Sequence, residues 1–181
     1  MRLATCRPEA PCGKKGPRLD LHPATVHFPI ALLVASFLFD LVGFVAKDDS
    51  FRRAGLYCLL LAAIGAGAAY WTGVLAEPRA ARIPHIEDAL ARHEQAGILT
   101  LVFIGALVIG RLILEGRPLL RRVGNLLYLL VALVAVVNVL RTGYVGAELV
   151  QRFGAGVEPV MRRLETPPAP PPPPLPPPPA R

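Results

Sequence analysis

The sequence predicts an all-α fold: a transmembrane four-helix bundle, running up and down, built from two helical-hairpin repeats. Three observations predict it. Four apolar stretches, at about 24–46, 54–76, 96–114 and 123–140, reach or approach the roughly 20 residues a helix needs to cross a hydrocarbon core. The run from Leu56 to Val74 carries no charge on any face, whereas a helix of a soluble bundle would show a polar stripe every three or four residues. Each half of the chain also opens with a histidine and closes with Thr-Gly followed by a glutamate.

Residues 1–20 form a polar tail with five basic residues and no apolar run, a composition that does not pack. Cys6 and Cys12 lie in it at C-x5-C spacing, which leaves a disulfide open. Without CxxC or CxxCH, zinc knuckles and c-type haem attachment are unsupported, and Cys58 falls inside the second helix. The first apolar run is too long for the 7–15-residue core of a cleavable signal, so it reads as a span.

The membrane domain covers 21–158. Helix one starts within the segment HPATVHFPIALL, which holds His22, His27, Pro23 and Pro29, and carries Asp40 toward its far end. Helix two contains AAIGAGAAY from Ala62, small residues that let helices approach in lipid, and ends in YWTGVLAE. A long connection, 77–95, holds His85 and His93 before helix three, where Arg111 lies near the end. An ion pair or snorkelling explains Asp40 and Arg111. A proton path through Asp40 would need further acidic or histidine groups between the faces, and none is present. Helix four carries Asn138 and leads into LRTGYVGAE. The tail 159–181 is dominated by proline from 166 onward and reads as an extended polyproline II spacer.

The connections 47–53 and 115–122 are short and imply antiparallel neighbours, so both termini and the long connection share one membrane face. The short loops carry six Lys or Arg and the long connection three, which places the termini outside; the basic N-terminal tail pulls the other way. The formal charge of +7 does not argue for nucleic acid, because the basic residues flank apolar spans and are not interleaved with aromatics.

In the repeat, His27 pairs with Thr72 at a separation of 45 and His93 with Thr142 at 49. Alternating helix direction then brings His27, His93, Thr72, Thr142, Asn138, Tyr70, Trp71, Arg141 and Tyr144 to one depth, with His22 and His85 just above. The aromatics and glycines of this layer are explained by an interfacial belt and by helix ends. For the histidines three readings stay open. In the first, His27 and His93 face each other across the bundle diagonal and ligate a haem b. Gly65 and Gly67 give room, Arg141 meets a propionate, and Thr72, Thr142 or Asn138 orient an imidazole. In the second, His22, His27 and His93, with Glu94, hold a metal ion directly. In the third, the histidines fix the fold of a cofactor-free accessory subunit. No Ser-His-Asp set, phosphate loop or paired carboxylate site appears, so no independent catalytic activity is expected.

The segments LHPATVHFPIALL and TGYVGAELVQRFGAGV, the Thr-Gly ending helix two and His93 before helix three together resemble a bacterial membrane-protein family catalogued as a domain of unknown function, number twenty-two thirty-one. The resemblance covers residues 20–158 and neither tail. It implies four transmembrane helices in the bacterial inner membrane, with the termini on the periplasmic side under the charge argument above. Relatives joined to Rieske or cytochrome modules imply a redox setting, which ranks haem or quinone-linked electron transfer above a bare metal. The implied partners are the bilayer, a redox protein or quinone, and further copies of the chain. The motif positions carried over are His22, His27, His93, Thr142, Gly143 and Gly146. Phe153 departs from the family, where a histidine is frequent.

Overall fold

The computed structural model describes residues 21–116, 121–157 and 160. The expectations for the two tails, for Cys6 and Cys12 and for the loop at 117–120 lie outside these residues. The described chain is helical throughout: α1 (His22–Thr25), α2 (His27–Ala46), α3 (Asp49–Ala80), α4 (Glu87–Gly116) and α5 (Arg121–Phe153).

The helices α1 and α2 form a single apolar span interrupted at Val26. Pro29 explains the interruption: it has no N–H for the Thr25 carbonyl, and the next hydrogen bond, from Ile30 to Val26, is stretched to 3.5 Å. Lys47, with φ at 56°, terminates α2, and Asp48 starts α3 by accepting a hydrogen bond from the Ser50 N–H at 2.7 Å. The helices α3 and α5 contain 32 and 33 residues and outrun their apolar stretches at the tail-bearing end. At about 1.5 Å per residue each exceeds a ~30 Å hydrocarbon core, and an apolar count marks only the part inside the core.

α2 packs on α3 and α4 on α5, each pair more closely than the cross-hairpin contacts α2 with α5 and α3 with α4. This leaves α2 and α4 across the diagonal. Four helices are long and apolar enough to cross a membrane, and mid-helix residues such as Ile64, Val102, Ile109 and Val137 are exposed on the outside. In water these faces would be a large apolar surface; in lipid they are solvated, and a helix satisfies its mid-span backbone groups internally.

The duplication is clearest in the core. Advancing 71 positions carries Leu33 to Ile104, Ser36 to Leu107, Asp40 to Arg111 and Gly43 to Leu114, and all eight are buried. Advancing 70 carries Leu59, Ala62, Ala66 and Ala69 to Leu129, Ala132, Val136 and Val139, also buried. The same step of 71 takes His22, not His27, to His93. The repeat is therefore registered five positions away from the one that pairs His27 with His93.

A smaller core lies beyond the apolar spans at the tail-bearing end. Ile83, Ile86, Ala89 and Leu149 are buried there, with Leu90, Phe153 and Ala155 packed against them. Phe153 therefore has a packing role.

Candidate functional site

The tail-bearing end holds a cavity of about 520 Å³ between the two hairpins. One wall comes from α1, α2 and α3, including His22, Ala69 and Gly73; the other comes from α4 and α5, including His93, Gly97 and Gly146. Its size lies within the roughly 300–1,000 Å³ of ordinary small-molecule and cofactor sites. The lining is mostly apolar, with Glu77, Arg79, Glu94 and Gln151 among its polar members. Exposed Tyr70, Trp71 and Tyr144 stand at about this depth, the aromatic belt of a membrane interface.

One imidazole enters from each wall. The rings of His22 and His93 lie with centroids 6.2 Å apart and planes at 80°. The turn of α1 brings His22 onto α3, where its Nδ1 is 3.0 Å from the Ala69 carbonyl and 3.2 Å from Thr72 Oγ1. A carbonyl can only accept, so Nδ1 carries the hydrogen and the neutral ring keeps the lone pair on Nε2. Thr25 Oγ1, 2.9 Å from Thr72 Oγ1, extends this contact. On the opposite wall His93 Nδ1 is buried with no hydrogen-bond partner.

Both rings are seated on glycines. A Cβ added at Gly73 would stand 3.0 Å from His22 Cε1, and one at Gly146 would stand 3.0 Å from His93 Cε1. Either methyl would displace the ring above it. Gly97, one turn along α4 from His93, has no atom within 4 Å of where its Cβ would be. These glycines, together with Gly143, shape the cavity. Gly65 and Gly67, expected to provide its room, do not line it: Gly65 packs on Pro29, and Gly67 faces open space on the outside.

The facing pair expected from the sequence, His27 with His93, does not form. His27 is exposed on the rim and donates its Nδ1–H to the Pro23 carbonyl at 2.6 Å, within its own turn. The backbone stays right-handed helical through Val26 (φ −66°, ψ −26°), and His22, seven residues before the buried Pro29, shares the inward face with Leu33 and Asp40 while His27 does not. Arg141 is exposed and outside the cavity lining, so it is not placed for a propionate in the cavity; Arg79 lines the cavity instead. Thr72 stands beside an imidazole. Thr142 lines the cavity and bonds within the bundle, donating to the Asn138 carbonyl at 2.9 Å and lying 3.2 Å from Thr100 Oγ1. Asn138 is buried one layer deeper and donates to the Ala96 carbonyl at 3.1 Å and to Thr100 Oγ1 at 2.9 Å, bracing α5 on α4. His85 lies in an exposed turn with φ at 61°, away from the pair. Among the described residues no three His, Cys, Asp or Glu side chains gather as a metal-holding group, so His22, His27, His93 and Glu94 do not form the direct ion site considered above.

Two signals in the sequence favour His22. Its separation from Thr72 is 50, against 49 for His93 and Thr142, a closer match than the 45 of His27. It also shares the step of 71 with the buried positions Leu33 and Asp40.

The opposite end of the bundle is closed. Arg111 donates through Nη1 to Asp40 Oδ1, through Nη2 to the Arg52 carbonyl and through Nε to Glu115 at 3.2 Å. Tyr128 donates to Asp40 Oδ2 at 3.0 Å. The Asp40 and Arg111 side chains are 3% and 4% exposed, so this is a buried ion pair with its hydrogen-bonding groups satisfied, not a snorkelling pair.

The chain belongs to the family described as predicted membrane protein, DUF2231, whose model matches residues 18–159. No curated protein and no solved structure matches it.

Proposed function

We propose that the protein is a b-type haem-binding, redox-associated subunit of the bacterial inner membrane, with His22 and His93 as the axial ligands. The observation that carries this reading is the entry of one imidazole from each wall into a single apolar cavity. With ring centroids 6.2 Å apart, His22 and His93 are the two residues that would hold the haem iron. The Ala69 carbonyl behind His22 is the partner that fixes a ligating tautomer and raises ring basicity. The unpaired nitrogen of His93 is a buried donor atom in want of a partner. Gly73 and Gly146 admit both rings.

Haem held here would supply one-electron transfer at the membrane interface. The chain's own part is to hold the two rings, to exclude water with the apolar lining and with the small core of Ile83, Ile86 and Leu149, and to offer Arg79 to an acidic substituent at the rim. Six Lys or Arg in the short loops against three in the long connection favour a periplasmic site and termini, and the five in residues 1–20 favour the reverse. An electron partner would then be a periplasmic redox protein or a membrane quinone.

The test is a reduced-minus-oxidised visible spectrum of detergent-purified protein expressed with ample haem, beside His22→Ala, His93→Ala and His27→Ala. The expected result is a Soret band with sharp reduced bands, lost or altered in the first two variants and retained in the third. A folded, colourless, metal-free wild type would sink the proposal. It would leave the cofactor-free accessory subunit, in which His22 pins α1 to α3 through Ala69 and Thr72.

A further inference from the structure

We infer that the Asp40–Arg111 cluster is the recognition element between the two hairpins: it makes the N-terminal hairpin (α1 to α3) accept a C-terminal hairpin (α4 and α5) and reject its own kind, so that a second copy of this chain can supply the C-terminal hairpin in place of the resident one.

The hairpins are repeats with equivalent core positions, so something must distinguish the unlike pair from the two like ones. Apolar packing does not. Leu33 and Ile104, or Leu59 and Leu129, stand at equivalent positions, and contacts between such side chains in lipid carry little direction. The tail-bearing end does not either, because both of its facing rings are imidazoles. Buried hydrogen bonds in the spans brace one hairpin internally: Ser36 donates to the Gly55 carbonyl at 2.9 Å, and Asn138 donates to the Ala96 carbonyl and to Thr100.

At the short-loop end three hydrogen bonds cross from one hairpin to the other. Arg111 donates to Asp40 and to the Arg52 carbonyl, and Tyr128 donates to Asp40 at 3.0 Å. Every donor here belongs to the C-terminal hairpin and every acceptor to the N-terminal one. Two N-terminal hairpins would set Asp40 against Asp40, with Cys58, a weak donor, at the position equivalent to Tyr128. Two C-terminal hairpins would set Arg111 against Arg111 without the carboxylate. Asp40 and Arg111 are only 3% and 4% exposed, and unpaired like charges at such burial are incompatible with a stable interface.

Recognition of this kind does not require the two hairpins to share a chain. Residues 81–86, which join α3 to α4, reach about 20 Å when extended, roughly two helix diameters, enough to hand α4 and α5 to a neighbouring bundle. In the wild type the resident hairpin wins, because the tether gives it an effective concentration of roughly millimolar order.

The experiment co-expresses two full-length chains with different affinity tags, one Asp40→Leu and the other Arg111→Met, and measures co-purification and mass in detergent. Each variant alone buries one unpaired charge. Exchange of hairpins between them restores one complete cluster of Asp40, Arg111 and Tyr128 and leaves an apolar pair in the other interface, which relieves both charges. The expected result is a one-to-one heterodimer that co-purifies at least about tenfold above two tagged wild-type chains, since each relieved charge favours exchange by about a hundredfold and the tether opposes it. Two tagged copies of the same variant should stay at the wild-type background. Variants that purify apart from each other, or that fail to accumulate even when expressed together, would overturn the inference. Co-purification of two Asp40→Leu chains would overturn it as well, because it would show association without the recognition element.

Discussion

The two ends of the bundle are made by the same duplication and have opposite characters. A step of 71 residues relates Asp40 to Arg111 at the short-loop end and His22 to His93 at the tail-bearing end. Each pair meets where the diagonal helices approach the centre. At the short-loop end the partners are of opposite charge, buried, and joined to Tyr128 and the Arg52 carbonyl. At the other end they are two imidazoles beside about 520 Å³ of cavity, one with a bond behind it and one without. Satisfied polar groups in a tight core serve the fold; unsatisfied ones beside empty volume are where a ligand is to be sought.

The largest expected effect breaks the closed end. Asp40→Leu or Arg111→Met leaves one charge buried and unpaired, which costs about 3–5 kcal/mol, whereas the double variant should regain most of that stability because both charges are gone. Reversible unfolding in mixed detergent micelles measures it. On the haem proposal, haem bound per folded molecule should not change in any of the three. Loss of haem in step with stability would show that the two ends are coupled, contrary to the comparison drawn here.

A pair of glycines sharpens the same contrast. At Gly55 an added Cβ would stand 2.6 Å from Asp40 Oδ1, and at Gly146 it would stand 3.0 Å from His93 Cε1. Overpacking of this kind costs about 1–3 kcal/mol. Gly55→Ala is expected to lower stability and, on the haem proposal, leave the visible spectrum alone. Gly146→Ala should change the haem content or spectrum, with the smaller effect on stability. Matching readouts from both would mean that the tail-bearing end is only another part of the core.

How much of this was legible in the sequence follows from what each signal measures. The four spans were, because apolar length alone decides whether a helix can cross lipid. The interfacial ends of α3 and α5 were not, since residues 77–80 fell in the long connection and 141–153 lie past the last apolar stretch, where apolar length no longer reports on helix. The duplication was visible, but its register was misplaced at the start of the first repeat. Two prolines hide the helical phase of this segment in the sequence, so His27, the histidine beside the long apolar run, looked like the inward one, although the backbone stays helical through Val26 and puts His22 in phase with Leu33 and Asp40. The match of His22 to His93 becomes apparent once Leu33 is set against Ile104 and Asp40 against Arg111. Asp40 and Arg111 could be named as an ion pair from their types and depth, but Tyr128 and the Arg52 carbonyl join them only through packing.

His27 carries the smallest expected effect. Its ring is exposed and its one assigned hydrogen bond, Nδ1–H to the Pro23 carbonyl, closes within a single turn. A bond of that sort is worth about 0.5–1.5 kcal/mol at most, and an exposed carbonyl at a membrane interface can take a replacement from water. His27→Ala should therefore shift the unfolding midpoint slightly and leave the visible spectrum unchanged, even though His27 is a motif histidine and lies only five residues from His22. A small loss of stability with an intact spectrum would locate its role in the turn at Val26. Loss of the haem bands with unchanged stability would instead restore His27 as a ligand and require that turn to unwind when the cofactor is held.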